Sequence, residues 1–201
     1  SFAAEAMNRE IKRAPNDARL RMFIGGFYNR LGQYDGALTH LQKAHELSPA
    51  KQTIAFEFAN TYLSTGKYAE AFALLKQAFT SAPEFESARI AYLASAIYMK
   101  EFNLADTLLA SSTNPDTKTD ERLVRAYFEV KQFPKVIAIL KLRLEQNPGD
   151  VQSRLSLAAA YLSDGNRAEA IRELQRIIEM KPDFKKQGEY YITEIQAGRN
   201  P

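Results

Sequence analysis

The sequence predicts an all-α fold, a solenoid of antiparallel helix pairs, and three observations carry that prediction. Prolines fall at positions 15, 49, 83, 115, 148 and 182, spaced by 34, 34, 32, 33 and 34 residues. Other positions repeat in the same register: Tyr28 with Tyr62, Gly32 with Gly66, Tyr34 with Tyr68, Ala37 with Ala71, Leu41 with Leu75 and Ala44 with Ala78. Each period also holds two amphipathic segments. Between Lys51 and Pro83, the residues Ile54, Phe58, Ala59 and Tyr62 share one helical face, and Ala71, Leu74, Leu75, Ala78 and Phe79 share another. Gly66 can take the left-handed conformation that ends a helix, and Pro83 cannot continue one. A hairpin of two such helices is open on its sides, so each unit needs neighbours of its own kind.

The ladder resumes at Tyr161, Gly165, Ala170, Leu174 and Pro182. With these residues in place the chain resembles a tetratricopeptide repeat (TPR) array, whose pattern over 34 residues is a small residue, Tyr, Gly, Tyr, Ala, an aromatic or Leu, Ala and Pro. The resemblance spans residues 1–201 as a single array. It divides the chain into the second helix of a truncated repeat (1–15), five repeats (16–49, 50–83, 84–116, 117–149 and 150–182) and a capping helix (183–201). It also implies about twelve helices wound into a right-handed superhelix.

In chain order, residues 1–13 read as a helix with Phe2, Ala3, Met7 and Ile11 at helical spacing. Ala3 and Met7 fall 34 residues before Ala37 and Leu41, so this helix matches the second half of a repeat. It is expected to be part of a longer protein, with a natural capping helix as the other reading. In the first case the open face with Phe2 and Met7 is expected to support weak self-association.

Repeat one opens on Asn16 or Asp17 as helix cap. Gly25 occupies the small-residue position, where neighbouring helices approach closely. Gly26 reads either as backbone crowding or as a bare patch that leaves room for a ligand. Repeat two is the reference. Repeat three departs most: Ala96 stands where Tyr is expected and Lys100-Glu101 replaces the Gly turn, while Phe102, Ala105 and Leu109 restore the second helix. The run SSTNPDTKTD at 111–120 reads as an irregular junction and not a domain boundary, since the pattern resumes at once. Leu123, Tyr127, Phe133, Val136 and Leu140 carry repeat four, with Pro134 in the first turn of its second helix, where the missing N–H is harmless. Repeat five runs from Asp150, a helix cap, to Met180. In the tail, Phe184, Tyr191, Ile192 and Ile195 form one apolar face of a last helix, and Gly198 stops it.

Composition narrows the function classes. Of 201 residues, 45% are hydrophobic and 25% charged, an ordinary globular balance. The net charge of +3 is spread along the chain, which argues against a phosphate-binding stripe and hence against nucleic acid as partner. There is no cysteine, so no disulfide and no thiolate metal site, and the compartment stays open. No apolar run is long enough to span a bilayer, so membrane insertion by this chain is not expected. His40 and His45 are the only histidines and do not share a helical face. No Gly-rich phosphate loop, dinucleotide fingerprint or zinc-protease motif is present. The expectation is a binding module, not an enzyme, with no cofactor.

The resemblance also implies where a partner would lie, in the groove lined by the first helix of each repeat. Carried over residue by residue, that set is Arg19, Met22, Phe23, Gly26, Asn29 and Arg30 from repeat one, with Phe56, Asn60 and Leu63 from repeat two. Repeat three adds Ile90, Ala94 and Ile97, repeat four Glu121, Arg125 and Phe128, and repeat five Leu155 and Ala159. The family's carboxylate clamp for chaperone C-termini is matched only at Asn60, with Met22, Gly26 and Ser87 where its other partners would stand. The implied ligand is a peptide or partner helix held by Phe56, Ile90 and Ile97, with Asn60 and Arg125 fixing its backbone or an acidic group. The competing reading is that the protein's own packing fills these positions.

Two functions follow from these readings. One is a protein-interaction scaffold. The other comes from the tail KPDFKKQGEYYITEIQAGRNP, together with FEFANTYL and the irregular middle repeats. These are similar to repeat regions appended to bacterial O-antigen ligase or polymerase-like membrane proteins, which would place the array at a membrane or outside the cytoplasm.

Overall fold

The computed structural model of the chain describes residues 2–201, and side chains from Met7 onward with the exception of Asn8. Twelve α-helices and no strand are present among the described residues. They are α1 (Phe2–Arg13), α2 (Ala18–Arg30), α3 (Tyr34–Leu47), α4 (Gln52–Ser64), α5 (Tyr68–Ser81) and α6 (Glu86–Tyr98). The remainder are α7 (Phe102–Ala110), α8 (Glu121–Glu129), α9 (Phe133–Gln146), α10 (Val151–Ser163), α11 (Arg167–Met180) and α12 (Lys185–Gln196). The repeat pairs are therefore α2–α3, α4–α5, α6–α7, α8–α9 and α10–α11.

Two compact units divide the chain, residues 1–112 and 113–201. The stretch expected to be a mere irregular junction is thus where one unit ends and the next begins. The physical reason lies in the two helices beside it. The second helices α3, α5, α9 and α11 have 14 residues each, but α7 has only 9. Likewise α8 has 9 residues where the other first helices of repeats have 13, because a 3-10 turn over Pro115–Thr119 takes up the positions of its first turn. Asn114 and Asp120 cap these two short elements by accepting the N–H groups of Asp116 and Arg122.

Within the first unit each helix from α2 to α6 packs on its successor, and the first helices also touch, α2 on α4 and α4 on α6. Small side chains make this possible. Ala37, Ala71 and Ala105, at the same place in three second helices, are fully buried. Gly25 lets α2 approach α3: a Cβ there would sit 2.5 Å from Leu41 Cγ. Asp17, not Asn16, caps α2, accepting from the N–H groups of Arg19 and Leu20 at 2.8 and 3.1 Å.

Within the second unit α8 packs on α9, α9 on α10, α10 on α11 and α11 on α12. Leu123, Ala126, Val136, Leu140, Ala160, Ala170 and Ile177 are fully buried between them. Arg143 ties the 3-10 turn to α9, donating from Nε to the Thr119 carbonyl at 2.7 Å. Asp150 caps α10 as expected, accepting from Ser153 N–H at 3.1 Å. At the far end Arg167 donates to the carbonyls of Ile195 and Gly198 and so holds the C-terminus of α12. That helix covers Ile195 and leaves Tyr190 on the outside, as a solvated cap should.

One turn recurs after every first helix. Gly32, Gly66 and Gly165 have φ of 69°, 73° and 83°, and the two positions without glycine, Lys100 and Lys131, take φ of 61° and 60°. In each case the next N–H returns to the carbonyl five residues back, as in Lys67 to Tyr62, Glu101 to Ala96 and Gln132 to Tyr127. The Lys100-Glu101 pair therefore keeps the turn that its sequence was expected to replace, in a backbone conformation costly for a residue with a Cβ.

Candidate functional site

The first helices of the repeats present the residues expected to line a groove, and burial sorts them. In the first unit Arg19, Phe23, Arg30 and Asn60 are exposed, while Met22, Phe56 and Leu63 are half-buried. Phe23 is the most open apolar side chain of the set, 60% exposed. Gly26 is not crowded: a Cβ would meet only Glu57 Oε2 at 3.8 Å and an Arg30 nitrogen at 3.9 Å. Its missing side chain leaves an open patch between Phe23 and Arg30, so backbone crowding does not explain it. Asn29 is turned toward α4, its amide 2.7 Å from the hydroxyl of buried Thr61. It joins the two helices and is already satisfied.

Two of the expected anchors are core residues. Ile97 has no exposed surface, Ile90 has 6% and Ala94 has 3%. The reason is that α6 is buried on nearly every side, with Ala88, Tyr92, Leu93, Ser95 and Ala96 also inside. A family pattern places a residue on a helix, but the packing of α5 and α7 around α6 decides what remains open. Ile90 and Ile97 hold the fold together and offer nothing to a ligand.

In the second unit the expected residues come together. A cleft with about 590 Å³ of unfilled volume, much of it open to solvent, lies where α8, α9 and α10 meet. Glu121, Arg125 and Phe128 of α8 line it, with Ala159 of α10 opposite. Phe128 is 39% exposed and is braced edge-on against Phe133, ring centroids 5.5 Å apart. Val124, Glu129, Val136 and Ser156 complete the wall and were not among the expected residues. Glu129 lies one helical turn beyond Arg125, so the spacing alone would have found it. Leu155 is half-buried nearby on α10 but is not part of this lining. The cleft therefore offers an aromatic face, a guanidinium and carboxylates. Glu121 is bound by Arg143 at 2.6 Å, and Arg125 and Glu129 are the other charged groups of the lining.

Neither histidine forms a metal site, and no cluster of three potential ligands occurs among the described residues. His40 stacks on Tyr28 at 5.6 Å, and its Nδ1 lies 3.4 Å from Arg21 Nη1. Burial first, and the Arg21 charge second, push its imidazole below the usual pKa of 6.5. No described helix is long and apolar enough to cross a membrane. The self-association expected through Phe2 and Met7 falls partly on Phe2, outside the described side chains, while Met7 is half-buried.

Comparison with known proteins agrees with this architecture. Models of the tetratricopeptide repeat match residues 3–51, 28–97 and 134–189. A BBSome complex member, the BBS4 homolog of Drosophila melanogaster, is 23% identical over 209 residues, covering 96% of this chain. The chain spans 43% of that relative's length. Among solved structures, a tetratricopeptide repeat protein from Parabacteroides merdae superposes with a TM-score of 0.71 at 15% identity, over 88% of this chain and 71% of that one. YrrB, described as a TPR protein with an unusual peptide-binding site, superposes with a TM-score of 0.55 at 19% identity, over 90% and 94% of the two chains. By repeat period, helix pairing and these matches, the chain is an array of tetratricopeptide repeats.

Proposed function

We propose that this array is a protein-interaction scaffold, and that the cleft of its second unit receives a peptide or a partner helix. The observation that carries the reading is the convergence of Phe128, Arg125 and Glu129 on one open cleft between consecutive repeats. A half-exposed aromatic ring beside a guanidinium is the kind of group that dominates binding energy at protein interfaces. Peptide binding by the similarly folded YrrB supports the class of ligand. The ligand fitting these groups is a segment with one apolar anchor for Phe128, flanked by an acidic group for Arg125. In the first unit, exposed Asn60 and half-buried Phe56 suit the same kind of contact.

Selection from a displayed peptide library, followed by calorimetry on a chosen peptide, tests this. Phe128→Ala and Arg125→Ala should each weaken binding by about 1–3 kcal/mol, with the fold intact by circular dichroism. Because few charges are involved, affinity should fall only modestly as salt rises. Parent-like binding by both folded variants would move the site elsewhere. The reading as a region appended to a membrane protein of polysaccharide assembly rests on the resemblance of the tail and the middle repeats, and no feature of the fold adds to it.

A further inference from the structure

Phe85 stands in the loop between α5 and α6 with 53% of its surface exposed. Among the exposed large apolar side chains of the described residues, it is the one with an acidic residue on each side, Glu84 and Glu86. The loop is firmly held. Arg89 donates from Nη2 to the Pro83 carbonyl at 3.1 Å, from Nε to Glu86 at 3.2 Å and from Nη1 to Ser111 Oγ at 2.7 Å. The Phe85 N–H donates to the Ala82 carbonyl at 3.2 Å and closes the turn. A segment fixed in this way loses little conformational freedom when it binds. The charge of Glu86 is already met by Arg89, whereas Glu84 is exposed and has no ion-pair partner among the described residues.

The cleft where α8, α9 and α10 meet offers the converse set. Phe128 is half-exposed there over an apolar wall of Val124 and Val136. Arg125, three residues before Phe128 and on the same side of α8, is exposed and has no ion-pair partner among the described residues. The unfilled volume leaves room for a phenyl ring against Phe128, and aromatic rings favour offset or edge-on contact. A free guanidinium and a free carboxylate make the stronger class of hydrogen bond, often bidentate. The loop thus brings an aromatic ring with one uncommitted carboxylate, and the cleft an aromatic ring with an uncommitted guanidinium. Glu129 opposes a second carboxylate, which Glu86, neutralised in place, does not supply.

We propose that the Glu84–Phe85 loop of one copy of the chain docks in the α8–α10 cleft of a second copy. Phe85 packs on Phe128 and Glu84 pairs with Arg125. This rests on the reading of that cleft as a peptide site, and it names the occupant. Loop and cleft are different surfaces, so the contact is heterologous and copies join head to tail. Contacts this small give weak, concentration-dependent association.

Sedimentation equilibrium of the full chain, over a wide range of concentration up to millimolar, tests this. The average mass should rise with concentration. Phe85→Ser, Glu84→Arg and Arg125→Glu, each folded by circular dichroism, should weaken association at least about tenfold. A mixture of the Glu84→Arg and Arg125→Glu chains should associate where neither does alone, and the two changes combined in one chain should restore association. A monomer at every concentration, parent-like association of the three variants, or a charge swap without rescue overturns the inference. The cleft reading is judged separately. A library peptide that binds through Phe128 and Arg125 while copies stay apart keeps the cleft as a peptide site and removes the second copy as its occupant. A library peptide that binds there and leaves the association undisturbed overturns the inference as well, because both need the same cleft.

Discussion

Lys100 and Lys131 show how much a single position can be asked to bear. Both sit where three other repeats place glycine, and both adopt its left-handed backbone, at φ near 60°. A side chain in that conformation costs about 1–2 kcal/mol, part of which glycine returns through its freer unfolded chain. Lys100→Gly and Lys131→Gly should therefore each raise stability by roughly 1 kcal/mol, and Gly66→Lys should lower it by a similar amount. Urea unfolding midpoints of the three variants measure this directly. His40 makes a second case at this scale. Its folded pKa is lowered by burial and then by Arg21, so the neutral ring is the form the fold prefers. Stability is then complete above the unfolded pKa of 6.5 and falls as pH drops through that value toward the folded one. His40→Gln should flatten the change in unfolding midpoint between pH about 7.5 and about 5.5, and an unchanged slope would clear His40 of the effect.

Between elements, the contact of α10 with α11 contains a buried charge cluster. Glu173 accepts from Arg154 Nη1 and from Arg176 Nη1, each at 2.7 Å, and its side chain is 5% exposed. Arg154 is nearly as buried, and its Nε has no partner. Removing one member of such a cluster strands the other, whereas replacing both removes the desolvation cost as well. Glu173→Leu should lose about 3–5 kcal/mol in denaturant unfolding, and Arg154→Met combined with it should recover most of that loss. A double variant as unstable as the single one would mean that packing around Arg154, not its charge, holds the two helices together.

On the scale of the whole molecule, the division after Ser112 separates two units that each bury a core of their own. In the second, Leu123, Tyr127, Leu140, Leu157, Ile177 and Ile195 are all within 7% of complete burial. Residues 113–201 expressed alone should thus be helical by circular dichroism and unfold cooperatively. A disordered spectrum would show that this core needs the first unit. The sequence marks this stretch as an irregular junction and not as a boundary. The run SSTNPDTKTD announced an irregularity, but the shortening of α7 and α8 on either side of it was not readable from spacing, because helix ends depend on which backbone groups find partners nearby.

The sequence by itself determined the fold class, the pairing of helices and the turns at Gly32, Gly66 and Gly165, since these follow from local periodicity, small residues at crossings and prolines at fixed intervals. Arg125 and Phe128 were likewise legible as open positions of a first helix. Only the tertiary structure decided that Ile90 and Ile97 lie inside and that Asn29 is occupied by Thr61. The physical reason is that exposure belongs to the packing of several helices at once. A periodic pattern states which side of a helix faces its hairpin partner, and the neighbouring repeats then cover or leave bare the rest.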